Sequence, residues 1–93
     1  MTDTAEARLD AVARAIADPT RRRIFEELGR RPGLTTAELD ALVPEMTRWA
    51  VMKHLAVLRD AGLLQTLADG RRRRHYRETA ALRELRGWLE RAG

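Results

Sequence analysis

Thr47-Arg48-Trp49-Ala50-Val51-Met52-Lys53-His54-Leu55 and Asp69-Gly70-Arg71-Arg72-Arg73-Arg74-His75-Tyr76 are the two most informative stretches of this 93-residue chain. The first opens on a threonine, whose hydroxyl can accept from the free N–H groups at a helix start. At about 100° per residue, Val51, Leu55 and Leu58 fall within about 60° of one another and define a core-facing stripe. Trp49, Met52, Lys53 and Ala56 lie on the opposite side, with Arg48 at its edge. The second stretch carries an Asp-Gly pair, favoured in tight hairpin turns, ahead of four arginines that alternate in direction along a strand.

Working upstream, Thr35-Thr36-Ala37-Glu38 has the form of a capping box and predicts a short helix over about 36–42, with Leu39 and Leu42 turned inward. Pro44 forces Val43 out of the helical region, so a tight break separates this helix from the one at about 47–61 that ends at Gly62. Two helices so joined form a helix-turn-helix unit. Before it, Leu9, Val12, Ala13 and Ile16 recur at helical spacing and predict a helix over about 4–17. Asp18 and Pro19 suit the N-cap and first position of another, about 19–29, carrying Ile24, Phe25 and Leu28 and stopping at Gly29. Downstream, residues 63–67 and 73–77 read as the strands of the hairpin. Thr79 is placed to cap a last helix over about 80–91, with Leu82, Leu85, Trp88 and Leu89 on one face. The predicted order is α-α-α-α-β-β-α, a mainly α winged helix-turn-helix forming one domain over 1–93.

Composition narrows the functional classes. With 44% hydrophobic and 34% charged residues the chain is globular. It has no cysteine, which removes disulfides and thiolate metal ligands and fits a cytoplasmic protein. No apolar run approaches the roughly 20 residues needed to cross a bilayer, and residues 1–10 do not resemble a signal peptide. The arginine-rich segment is too broken by turns to form one long membrane-surface helix. Nothing suggests an enzyme: serine is absent, there is no glycine loop to cradle phosphate, and no paired acids stand beside a histidine. Charge is polarised along the chain. Residues 1–46 hold seven Arg against nine Asp plus Glu, a net of −2, whereas residues 47–93 hold eleven Lys plus Arg against five acids, a net of +6. Such a chain presents a face that attracts polyanions.

These features predict a surface for double-stranded DNA. A helix fits the major groove, where Arg48 and Lys53 can donate to guanine O6/N7 or to phosphate, and Trp49 and Met52 can touch thymine methyls or sugar edges. Thr47 opens the helix end that carries base contacts in such motifs. Arg71, Arg72, Arg73 and Arg74 form the wing of residues 68–75, suited to phosphates and the minor groove; one of Arg73 and Arg74 can instead lay its stem on the sheet. Tyr76 is expected to anchor the wing, with its hydroxyl available to a phosphate. His54, beside the core stripe, is expected to pack partly buried with a backbone hydrogen bond. The competing reading is a winged-helix protein-interaction module in which Trp49 and Met52 form the contact patch.

The ordered succession Ala17-Asp18-Pro19-Thr20-Arg21-Arg22-Arg23-Ile24, Leu34-Thr35-Thr36-Ala37-Glu38-Leu39, Ala50-Val51-Met52-Lys53-His54-Leu55, Leu58-Arg59-Asp60-Ala61-Gly62-Leu63 and Gly70 through Tyr76 resembles the ArsR-type winged-helix repressors of bacteria over about residues 9–90. The resemblance implies a homodimer built from the first and last helices, bound to an inverted repeat and repressing its own or a neighbouring operon. Metal-sensing members place a Cys-x-Cys pair near the first helix of the helix-turn-helix unit, or Asp and His ligands on the last helix. This chain has neither, and His54 and His75 are its only histidines. It therefore resembles the metal-free branch, with no cofactor implied. The apolar stripes Leu9, Val12, Ile16 and Leu82, Leu85, Trp88, Leu89 also exceed what the short central helices can cover, which independently points to packing between two subunits.

Overall fold

The computed structural model describes residues 4–93. Five helices and three strands follow in the order α1 (Ala5–Ile16), α2 (Pro19–Arg30), β1 (Leu34–Thr35), α3 (Thr36–Leu42), α4 (Arg48–Asp60), β2 (Leu64–Asp69), β3 (Arg72–Arg77) and α5 (Leu82–Ala92). The strands form one antiparallel sheet in the order β1-β3-β2. The core draws on Val12 and Ala15 of α1, Ile24 and Leu28 of α2, Leu39 of α3, Val51, Leu55 and Leu58 of α4, and Leu34, Val43, Leu63 and Leu64 between them. The stripe expected on the fourth helix is therefore its core face.

Local chemistry sets the boundaries. Thr4, Asp18, Thr35 and Thr47 each cap a helix, their side-chain oxygens accepting from the backbone N–H three residues on. The Thr35/Glu38 capping box is complete, with Glu38 Oε1 accepting from Thr35 N at 2.8 Å. At the end of α4 the chain turns at Gly62, φ +78°, and Leu63 N donates to Leu58 O at 2.9 Å.

Three expectations need correction. The order contains an extra strand, β1, whose Leu34 and Thr35 pair with His75 and Arg74. Two residues, the second of them the capping threonine itself, are too few to show strand periodicity, so only the partner strand reveals them. The second helix passes through Gly29 to Arg30, and the chain turns at Gly33, φ +87°. Gly29 is small for a different reason: the Arg77 guanidinium occupies the space a Cβ would need there, and also lies 5.3 Å from the Phe25 ring centre. The last helix begins at Leu82, with Ala81 at its N-cap and no side-chain cap. Thr79 contributes its carbonyl, accepting from Leu82 N at 3.0 Å, because Ala80 and Ala81 form a turn first.

The end of α1 carries a device that the sequence reading did not anticipate. Arg21 donates from Nε to Ala15 O at 2.7 Å and from Nη2 to Arg14 O at 2.9 Å. Arg22 Nη1 donates to Ile16 O at 2.7 Å and Ala17 O at 3.1 Å. Four carbonyls that a helix C-terminus leaves free are thus satisfied by two side chains of the next helix. Arg21 also reaches α4, with Nη1 3.2 Å from His54 Nδ1. The partner of His54 is consequently a guanidinium and not the expected backbone group. The Asp18 carboxyl is held below its ordinary range, chiefly by the backbone N–H of Arg21, with desolvation opposing and the charges of His54 and Arg21 adding smaller downward contributions.

Candidate nucleic-acid interface

Helix α4 is pinned through its buried stripe, so its other side is presented outward. Trp49 is 69% exposed and Met52 55%. Lys53 Nζ stands 4.5 Å from the Trp49 ring centre, a cation–π pair one helical turn long. Thr47 is occupied as the N-cap, its Oγ1 accepting from Ala50 N at 3.1 Å. Arg48, one position on, is held by α3: its Nε donates to Asp40 Oδ2 at 2.8 Å.

The hairpin closes on two loop residues, Gly70 and Arg71, between the paired Asp69 and Arg72. Gly70 has φ +61° and Arg71 does not have positive φ, so the glycine takes the one backbone position that requires its freedom. Four successive arginines then divide. The side chains of Arg71, Arg72 and Arg73 are exposed and make no hydrogen bond or ion pair to a described residue. Arg74 is braced, donating from Nε to Asp69 Oδ2 at 2.6 Å and from Nη1 to Gly33 O at 3.0 Å. The Asp69 carboxyl is held below its ordinary range, chiefly by the hydrogen bond from Arg74. Arg74 is thus the arginine that serves the sheet, the alternative left open between it and Arg73. Tyr76 lies against Gly33, where a Cβ would stand 3.2 Å from its hydroxyl oxygen.

Both halves face one cleft of about 530 Å³, lined by Arg48 and Met52 of α4, Arg71 to Arg74 of the hairpin, and Thr35 to Glu38 at the start of α3. At its back the hairpin is tied down by His75, which is 2% exposed. His75 Nε2 lies 2.8 Å from Thr36 Oγ1 on α3, and Nδ1 2.9 Å from Thr66 Oγ1 on β2. Thr66 Oγ1 in turn accepts from Arg59 Nη1 of α4 at 3.1 Å. Burial, and secondarily the Arg59 charge, push the imidazole pKa below its ordinary 6.5. Neutral His75 therefore joins α3, α4 and the hairpin through one hydrogen-bonded chain. Neither this network nor the Asp40–Arg48 pair has a local sequence signature. The partners are 39 and 8 residues apart respectively, and only the folded topology brings them together.

Comparison with known proteins agrees with this geometry. The profile of a helix-turn-helix domain matches residues 16–66. Over 87 residues the chain is 40% identical to the uncharacterized HTH-type transcriptional regulator YuzN of Bacillus subtilis, covering 87% of this chain and 95% of that one. An ArsR-like transcriptional regulator from Rhodococcus sp. RHA1 shares 35% identity and a TM-score of 0.85, covering 100% of this chain and 84% of that one. The crystal structure of another ArsR family transcriptional regulator matches with a TM-score of 0.85 at 32% identity, covering 99% and 92% of the two chains. The chain belongs to the ArsR-type winged helix-turn-helix transcriptional regulators. The family regulates transcription and is not a family of enzymes. Within that fold, the hairpin described above is the wing, and α3 and α4 form the helix-turn-helix unit. Among the described residues no helix is long and apolar enough to cross a membrane, and no cluster of three His, Cys, Asp or Glu side chains could hold a metal.

Away from the cleft-lining residues, α1 and α5 pack on each other, joined by Arg8 Nη2 to Glu84 Oε1 at 2.9 Å. The two stripes expected here are only partly outward. Val12 is fully buried in the chain's own core, and Ile16, Leu82 and Leu85 lean against that core. Leu9 is half-buried, while Trp88 and Leu89 remain 47% and 55% exposed.

Proposed function

We propose that this regulator binds double-stranded DNA sequence-specifically as a cytoplasmic homodimer and represses its own or a neighbouring operon. Helix α4 enters the major groove with Arg48, Trp49, Met52 and Lys53 toward the bases, while Arg71, Arg72 and Arg73 hold phosphates or the adjacent minor groove. The observation that carries this reading is the shared cleft: the exposed start of α4 and the unpaired wing arginines line one opening. A surface of that kind gathers base-reading and phosphate-binding groups within reach of the same duplex. The second copy is expected to dock along α1 and α5, where Trp88 and Leu89 stand exposed. Burying them contributes several kcal/mol before the costs of association. Two-fold symmetry then sets the recognition helices about 34 Å apart, matching half-sites about one DNA turn apart.

Selection of bound sequences from random duplex DNA tests the reading. An inverted repeat is expected, with log Kd rising by about 0.9 per neutralised phosphate for each tenfold increase in salt. Exposed Trp49 and Met52 favour one competing reading, a protein-interaction module. That reading predicts no duplex enrichment and a weak salt dependence.

A further inference from the structure

We propose that Arg48 reads one guanine in each half-site and that Asp40, on the neighbouring helix, is the residue that positions it. The inference rests on the placement of α4 in the major groove, and adds to it which base is read and by what device. A guanidinium presents two donor edges, and only one of them is engaged here: Nε bonds to Asp40 Oδ2 at 2.8 Å. The edge formed by Nη1 and Nη2 makes no hydrogen bond to a described residue, and the side chain is 65% exposed. Arginine meets guanine through such a paired edge, directed at O6 and N7. An unrestrained arginine at a helix start samples many rotamers and finds phosphates as readily as bases. One anchored through Nε by a carboxylate from another helix is held in one orientation before DNA arrives.

Charge separates the two kinds of target. Arg48 and Asp40 together are neutral, and a phosphate brought to Arg48 would approach the Asp40 carboxylate. Guanine O6 and N7 are uncharged acceptors and meet no such opposition. The wing shows a different arrangement: Arg71, Arg72 and Arg73 have no hydrogen-bonded carboxylate, and only Arg72 feels the charge of Asp69, so they remain open to phosphates. The other cation of α4, Lys53, rests on the Trp49 ring and has no planar fork. The second Asp40 oxygen, Oδ1, is buried without a hydrogen-bond partner. The carboxylate thus offers one working oxygen, and that oxygen meets Arg48.

The test compares the full chain with R48A, R48K, D40A and D40N, first by selection from random duplexes and then by titration of the selected site with single-base changes. The wild type is expected to prefer one guanine per half-site by about tenfold or more. R48A and R48K are expected to lose that preference while keeping those at other positions. D40A is expected to reduce it several-fold and to bind unrelated duplexes more tightly, because the site gains a positive charge. D40N keeps the shape of the site and stands in should D40A not fold; it too is expected to weaken the guanine preference. Replacing that guanine by 7-deazaguanine removes the N7 acceptor, and should weaken the wild type but not R48A. Unchanged guanine preference in R48A overturns the reading role, and unchanged preference in D40A, or in D40N if it alone folds, overturns the positioning role. Absence of duplex binding by the wild type would instead refute the DNA-binding reading itself, a separate outcome.

Discussion

Two arginine runs, Arg21-Arg22-Arg23 and Arg71-Arg72-Arg73-Arg74, look alike as text and behave as opposites in space. In the first, two of the three guanidinia are committed to four backbone carbonyls at the end of α1 and to His54. In the second, three of the four face a cleft and make no hydrogen bond or ion pair to a described residue, and only Arg74 turns back onto the sheet. What separates them is the supply of nearby acceptors. A helix C-terminus offers a ring of free carbonyls, and Arg21 and Arg22 lie one turn beyond it. A two-residue hairpin tip offers almost none. A basic run is therefore a signal for polyanions only where the surrounding fold cannot satisfy it.

The largest expected effect falls on the first run. Arg21→Ala removes three hydrogen bonds made by a charged donor, and should destabilise the fold by about 2–3 kcal/mol, seen as a drop of about 10–20 °C in Tm. An Arg21→Ala protein as stable as the wild type would erase the contrast between the two runs. The double change Arg71→Ala and Arg72→Ala should do the converse. Stability should stay within about 0.5 kcal/mol, whereas affinity for every duplex falls by about 10–100-fold and the salt slope shrinks by about 1.8. A loss of Tm in this variant would show that the wing arginines serve the fold, and an unaltered salt slope would show that they do not meet phosphates.

Much of this division was hidden in the sequence for a definable reason. Periodicity and caps are local, so the helices, the hairpin and the core stripe Val51, Leu55 and Leu58 were legible within a residue or two. Exposure of Trp49 and Met52 follows from the same wheel. What escaped was the set of specific partners that tertiary geometry brings together. Gly29 read as a helix stop because nothing nearby announces that Arg77, 48 positions later, fills its side-chain space. Val12 read as part of an outer stripe because a helix packed between neighbours buries more than one face. Arg74 is told apart from Arg71 only by the carboxylate across the hairpin and the carbonyl of Gly33.

His75, directly after the second run, ties the hairpin to α3 through Thr36 and to β2 through Thr66. Its imidazole pKa lies below 6.5, first because the ring is buried and second because of Arg59. The unfolded chain takes up a proton near pH 6.5 while the folded chain does so only at lower pH. The unfolded state thus binds more protons in that interval, and stability should decline as pH falls below about 6.5. Carboxyls held below their ordinary range, such as Asp18 and Asp69, contribute their own loss only in more acidic solution, around pH 4 and lower. Urea midpoints measured from pH 7 to pH 5 should therefore slope downward, and His75→Phe should flatten the curve. An equal slope in both proteins would mean that the imidazole stays solvated.

The smallest effect offers the sharpest internal control, because it distinguishes neighbours on one helix. Arg22 Nη1 reaches two carbonyls from an exposed position, so Arg22→Ala should lower stability by about 1 kcal/mol. The Arg23 side chain is exposed and makes no hydrogen bond to a described residue, so Arg23→Ala should stay within about 0.5 kcal/mol. Composition, helix propensity and net charge change identically in the two variants, which leaves the end of α1 as the source of any difference. Arg22→Lys refines the point: an ammonium keeps the charge near the helix terminus but lacks the planar fork that bridges Ile16 and Ala17. If lysine restores full stability, attraction between a cation and the helix dipole is sufficient. If it restores only part, the directed hydrogen bonds are what hold α1 to α2, and the first run is structural in the strict geometric sense that the wing arginines are not.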